Sequence, residues 1–206
     1  MANQLFTDIS NQNNNLSSTP NSYKMVVVSG IPIFPGQTIH FDLQKDKSML
    51  ALERAYDVKE NVFLVLQKHS KTQKPAPKDL YRVGVVAKIQ QMLHLPNDTV
   101  RVLVTAINRM EIDTYVSINP YFEVSLIDIK EPEEDPIAIS AIKGAVHKQV
   151  DVLSKLESKI PKDAINLMLG DDDEKIIATA GTFIFINDSQ RQQLLEIGRA
   201  SCRERV

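Results

Sequence analysis

The sequence predicts an α+β chain built from two successive units, and three observations carry that prediction. Short runs of β-branched residues, with a single helix among them, fill the chain to about residue 130. Residues 131–136, EPEEDP, then set acidic side chains between two prolines, which suits a solvated linker and the start of a helix. From residue 137 onward the apolar positions step by three and four, the period of helices with one buried face.

Composition narrows what such a chain can be. Its 206 residues suffice for one large or two small units with a real core, and 43% hydrophobic residues is ordinary for a globular protein. The formal net charge of -2 lacks the basic excess of a nucleic-acid binder, so nucleic acid is not expected as a partner. No apolar run approaches the roughly 18 residues of a membrane span, and no basic segment followed by an apolar one opens the chain. Membrane partners are therefore not expected. Cys202 is the single cysteine, which forbids an internal disulfide and makes the reducing cytoplasm the expected compartment.

The elements follow in order. Residues 1–22 are rich in Asn, Gln, Ser and Thr and read as a disordered leader, because they cannot bury enough apolar surface to offset ordering. A β-rich unit over residues 23–130 begins with Met25-Val26-Val27-Val28, continuously apolar as in a strand buried on both faces. Pro32 and Pro35 then mark a corner, since proline lacks an N–H for a central ladder. Beyond it Ile39, Phe41 and Leu43 alternate on one face of a second strand. Asp46 can cap the helix of DKSMLALERAYDV, whose Met49, Leu52 and Tyr56 share a face. NVFLVLQ is a buried strand, and residues 68–80 form an exposed loop with Lys and Pro.

The strongest signal is the hairpin YRVGVVAKIQQMLHLPNDTVRVLVTAINRMEI, with its turn at Pro96-Asn97-Asp98-Thr99, where Asn and Asp tolerate positive φ. Gly84 and the Gln90-Gln91 pair break the alternation and predict a bulge or bend. YFEVSLIDIK, started by Asn119-Pro120, closes a small and mostly antiparallel barrel or twisted sheet. In the helical bundle of residues 137–195, Ile139, Ile142, Val146, Val150, Leu153 and Leu156 mark one long face. Pro161 opens the next helix, the acidic residues near 172 open another, and TFIFI reads as a packed helix end. Asn187 or Asp188 caps the last helix.

Three segments, IPIFPGQTIHFDL, KSMLALERA and VGVVAKIQQMLHLPNDTVRVLV, resemble recurring motifs of the N-terminal domain of ATP-dependent Lon proteases, and KIPKDAINLML and KIIATAGTFIFINDSQRQQLLE are similar to that family's bundle helices. The likeness covers about residues 24–195. It departs at Asn97-Asp98, where Asp-Gly is usual, and at Ala106, where glycine is common. The tail EIGRASCRERV, residues 196–206, looks like an in-frame translation of a sequencing adapter, a genuine basic C-terminus being the alternative. The resemblance implies a PUA-like β pseudobarrel followed by an α-helical bundle. It also implies a non-catalytic module that selects unfolded or degron-bearing proteins for a homo-hexameric ATP-dependent Ser-Lys protease. A stand-alone adaptor with the same domain is the alternative, and RNA binding rests only on the PUA-like likeness.

Chemistry of its own is not expected in this chain. Gly144, Gly170 and Gly181 lack the spacing of a phosphate loop, and no nucleophile elbow is present. His40, His69, His94 and His147 lack metal-ligand spacing, and the acidic runs at 131–135 and 171–174 lack that of an EF-hand. No cofactor is expected here, and the resemblance implies ATP and Mg only for an ATPase domain outside this sequence. A binding surface needs apolar side chains not committed to the core. Phe34 at the proline corner, Met92, Leu93 and Leu95 at the hairpin end, and Tyr121 with Phe122 are the candidates. Replacing Met92 and Leu95 with Ser is expected to weaken capture of unfolded protein without unfolding the chain.

Overall fold

In the computed structural model, residues 22–30, 32–44, 46–69, 72, 74–96, 98–129, 136–156, 160–170, 172–183 and 188–197 are described. The strands are β1 (Tyr23–Val28), β2 (Thr38–Gln44), β3 (Val62–Leu66), β4 (Val83–Leu95), β5 (Thr99–Ser117) and β6 (Glu123–Ile127). The helices are α1 (Lys47–Asp57), α2 (Pro136–Leu156), α3 (Lys162–Met168), α4 (Asp173–Phe183) and α5 (Asp188–Ile197). The expected leader lies outside the described residues except for Ser22. So do residues 131–135 of the linker and residues 198–206 of the tail.

The sheet runs β2-β5-β4-β3-β1-β6, and a second pairing of β5 with β6 closes five of the strands into a ring. Among the described strands only β1 and β3 run parallel, Lys24 to Val28 beside Val62 to Leu66. The long strand β5 makes this possible, because its first half pairs with β2 and its second half with β6. Strand β2 therefore hangs outside the ring, with the far halves of β4 and β5, as a three-stranded wing.

β1 and β3 are apolar on both faces because both faces are covered. Tyr23, Met25, Val27, Phe63, Val65, Val86, Met110, Ile112, Phe122 and Val124 fill the inside of the ring. Val26, Val28, Leu64, Leu66 and Val85 point the other way, under Ala51, Leu52 and Ala55 of α1 and Ala178 and Leu195 of α4 and α5. The helical unit thus shares its apolar contacts with the barrel. On α1 the inward face is Ser48, Ala51, Leu52 and Ala55, and Tyr56, expected inside, is 41% exposed. Ser48 belongs there because its Oγ accepts from Val27 N–H at 3.1 Å, which satisfies a β1 edge donor that no strand reaches.

The proline corner has a definite geometry. Phe34-Pro35-Gly36-Gln37 is a type II turn, with Gln37 N–H donating to Phe34 O (3.2 Å) and Gly36 at φ 78°. Gly36 and Gln37 then sit together opposite Ala106: Gly36 N–H donates to Ala106 O (3.0 Å) and Ala106 N–H to Gln37 O (2.9 Å). This is a bulge with its glycine in the left-handed region, and it launches β2. Along β4 the register shifts between Ile89 and Gln91, as expected, and between Val86 and Ala87. Gly84 marks no bulge. It pairs regularly with Met110, and a Cβ there would strike the Phe63 ring and the Leu64 carbonyl, so close approach is what requires glycine.

In the helical unit Val150 is buried and Val146 half-buried, whereas the side chains of Ile139, Ile142, Leu153 and Leu156 lie outside the described residues. His147 lies within α2, its Nε2 3.3 Å from Gly170 O. Asp172 caps α4 by accepting from Lys175 N–H (3.2 Å), and of TFIFI, Thr182 and Phe183 end α4 while 184–186 lie outside the described residues.

Candidate functional site

The wing presents two faces because side chains alternate along its strands. Ile89, Met92 and His94 of β4 stand beside Val104, Val102 and Val100 of β5, and these beside Ile39, Phe41 and Leu43 of β2. That face is turned to the core, where Val100, Val102 and Val104 are fully buried. Gln91, Leu93 and Leu95 stand beside Leu103, Arg101 and Thr99 on the opposite, outer face, in register with His40, Asp42 and Gln44. The hairpin ends in a turn with Asp98 at φ 54°, as the sequence predicts for this position.

The six candidate residues do not form one surface. Met92 and Leu93 are neighbours in sequence and therefore face opposite ways: Met92 packs against the core, and Leu93 is 51% exposed. Leu95, half-buried, shares the outer face with Leu93. Phe34 is only 2% exposed, because the type II turn folds its ring under the corner, and it is removed from the candidate surface. Phe122 is likewise core at 4%, edge-on to Tyr115 with ring centroids 6.2 Å apart. Lys47 Nζ lies 5.3 Å from the centre of the Phe122 ring and donates to Ile118 O and Asn119 Oδ1, both at 2.6 Å. Tyr121 is half-buried against the core cluster.

The exposed apolar candidates that remain lie on the outer face of the wing, Leu93 and half-buried Leu95 on β4, with half-buried Leu103 of β5 diagonal to Leu93. Sequence reading missed Leu103, although its place between Val102 and Val104 in an alternating strand is a signal that it faces away from them. Arg101 stands directly opposite Leu93 in the middle of this face and makes a bidentate pair with Asp42, Nε to Oδ1 at 2.7 Å and Nη2 to Oδ2 at 2.8 Å. Hydrogen bonding from Arg101 holds the Asp42 carboxyl below the usual range, and the guanidinium is raised in turn. At neutral pH the pair is fully charged and offers no proton to transfer. Among the described residues no group of three or more His, Cys, Asp or Glu is placed to hold a metal ion. Among them also, no helix is long and apolar enough to cross a membrane.

The family model for the ATP-dependent protease La (LON) substrate-binding domain matches residues 22–205, spanning the barrel, the wing and the helices. The chain belongs to the Lon substrate-binding domain family. It is 31% identical over 173 residues to the Lon protease of Clostridium acetobutylicum, a match covering 83% of this chain and 22% of that protein. Lon protease 1 of Syntrophobacter fumaroxidans is 33% identical over 167 residues, covering 81% of this chain and 20% of the relative. This chain therefore spans about a fifth of the length of the Lon proteases it matches. The fold agrees with the N-terminal domain of a Mycobacterium avium complex Lon protease (TM-score 0.65, 20% identity, 85% of this chain and 89% of that one). A Lon N-terminal domain protein from Xanthomonas campestris superposes with a TM-score of 0.54 at 10% identity, over the same shares.

Proposed function

We propose that this chain captures exposed apolar segments of unfolded or degron-bearing proteins on the outer face of the wing and presents them to a Lon-type protease. In this reading the ATPase, with ATP and Mg, and the Ser-Lys centre belong to domains outside this sequence. Homo-hexameric assembly through those domains and a cytoplasmic setting complete it. The observation that carries the reading is the exposed Leu93, on a three-stranded wing beside Leu95 and diagonal to Leu103, in a chain of the Lon substrate-binding family. Exposed aliphatic side chains interleaved with polar groups suit capture by apolar contact without a fixed sequence code.

The test is binding of the whole chain to a reduced, carboxymethylated protein that stays unfolded, with its native form as control. Leu93→Ser is expected to weaken binding about threefold to tenfold, the loss from one half-exposed apolar anchor. The midpoint of thermal unfolding should stay within about 2 °C, since Leu93 is not part of the core. Equal binding of wild type and Leu93→Ser would remove the outer face from the mechanism.

A further inference from the structure

The wing ends at β2, whose second edge is paired with no strand among the described residues. The bulge at Gly36-Gln37 sets the phase of the ladder. Because Ala106 N–H donates to Gln37 O, the mutually bonded pairs are Ile39 with Val104, Phe41 with Val102 and Leu43 with Val100. The backbone N–H and C=O groups of Thr38, His40, Asp42 and Gln44 then point away from β5. Side chains support this phase, since non-bonded antiparallel pairs bring them closest. Thr38 Oγ1 lies 2.9 Å from Thr105 Oγ1, and Asp42 meets Arg101. Among the described residues, no hydrogen bond satisfies these outward backbone groups.

Proteins usually blunt such an edge with lysine, proline, a bulge or an inward charge. TIHFDLQ has none of these within the strand; its bulge and Pro35 both precede it. Ile39 and Phe41 face the core side yet are only half-buried, while Val104 and Val102 beside them on β5 are fully buried. The apolar cover thins along β2, where Ile39 and Phe41 are half-buried while Leu43, at the far end, is buried. Resting on the reading that this chain binds unfolded protein, we infer that substrate adds to the free edge of β2 as an extended strand.

The occupant has a definite chemistry. Outward donors and acceptors recur every second residue, a spacing that an extended polypeptide backbone matches along its length. The segment alternates apolar and polar residues, with the apolar ones on the side of Ile39 and Phe41 and the polar ones beside Thr38, His40 and Asp42. Backbone pairing supplies the affinity without demanding a sequence, and the half-buried row selects segments that belong inside a folded protein. The edge belongs to the same sheet as the outer face, with β5 between β2 and the Leu93 and Leu95 of β4.

Residue-resolved hydrogen exchange on the whole chain tests this, using as probe an alternating valine–threonine peptide as long as β2. The amides of Thr38, His40, Asp42 and Gln44 should slow about tenfold or more on peptide addition, while those of Ile39, Phe41 and Leu43, already bonded to β5, stay unchanged. His40→Pro removes one outward N–H and no bond to β5, and should weaken the peptide about tenfold, the worth of one hydrogen bond. A peptide N-methylated on alternate amides should lose binding to the unaltered protein in the same way. Unchanged exchange at the outward amides, or equal affinity for the methylated peptide, overturns the inference while leaving outer-face capture standing. Protection that appears without peptide as protein concentration rises overturns it as well, by giving the edge to a second copy. Failure to bind the carboxymethylated protein at all would sink the substrate-binding reading, and the edge strand with it.

Discussion

Gly84 shows how one position can be read correctly as special and assigned the wrong reason. A glycine inside a strand signals either a bulge or a close backbone approach, and sequence alone does not separate the two. Here β3 passes so near that Phe63 and the Leu64 carbonyl occupy the space a Cβ needs. Gly84→Ala should therefore destabilise the fold by about 1–3 kcal/mol through overpacking, measured by chemical denaturation. An unchanged midpoint would mean that the strands can part without cost. Met92 and Leu93 carry the complementary lesson. Their adjacency guarantees opposite faces, so at most one could belong to a surface, but only packing shows that Met92 is the inward one. Serine at Met92 consequently costs stability, against the expectation from sequence, whereas serine at Leu93 tests binding.

Among the elements, α1 was the most legible. Its N-cap Asp46 accepts from Ser48 N–H (2.8 Å) and Met49 N–H (3.0 Å), and the buried face follows helical spacing. Asp46→Ala should cost about 1 kcal/mol, read as a lower denaturation midpoint with an unchanged slope. Asp46→Asn should recover most of it, since either side chain can accept from those N–H groups. The inward position of Ser48 was not legible, because a serine on a helix usually signals solvent. It is inside because Val27 N–H, at the open edge of β1, needs an acceptor. The type II turn was legible in principle from Pro35-Gly36, whereas the bulge it leads into depends on Ala106, far along the chain.

At the level of the whole molecule, polar side chains among the described residues, Gln37, Arg109 and Gln192, fasten the helical unit to the β-rich unit. Gln37 Nε2 donates to Thr182 Oγ1 at 2.8 Å, Arg109 Nη1 to Leu195 O at 3.2 Å, and Gln192 Nε2 to Val83 O at 3.0 Å. Gln192 is 1% exposed and borders a cavity of about 10 Å³ with Val28, Ile33 and Leu195, and among the described residues its Oε1 has no hydrogen-bond partner. Burying an amide oxygen this way is costly, so the bond to Val83 and the packing of Leu195 must outweigh it. Gln192→Ala should free α5, lowering its amide protection by about 1–2 kcal/mol while the barrel strands keep theirs. Equal loss in both would mean that helices and barrel unfold as one unit.

Local periodicity settled a large share of this protein's local structure: the alternating strands, the hairpin turn at Asp98 and the capped helix α1, while the family was indicated by the resemblance of its segments to Lon motifs. These are properties of neighbours in sequence, where side-chain direction follows from a period of two or 3.6. Tertiary structure decided which side of each strand is the inside, and so which of six candidate residues remained on the surface. It also decided that β5 serves two partners along one edge, leaving β2 with an edge of its own. Such outcomes depend on which distant segment arrives to pair or cover, and burial and free hydrogen-bonding capacity are set only when it does.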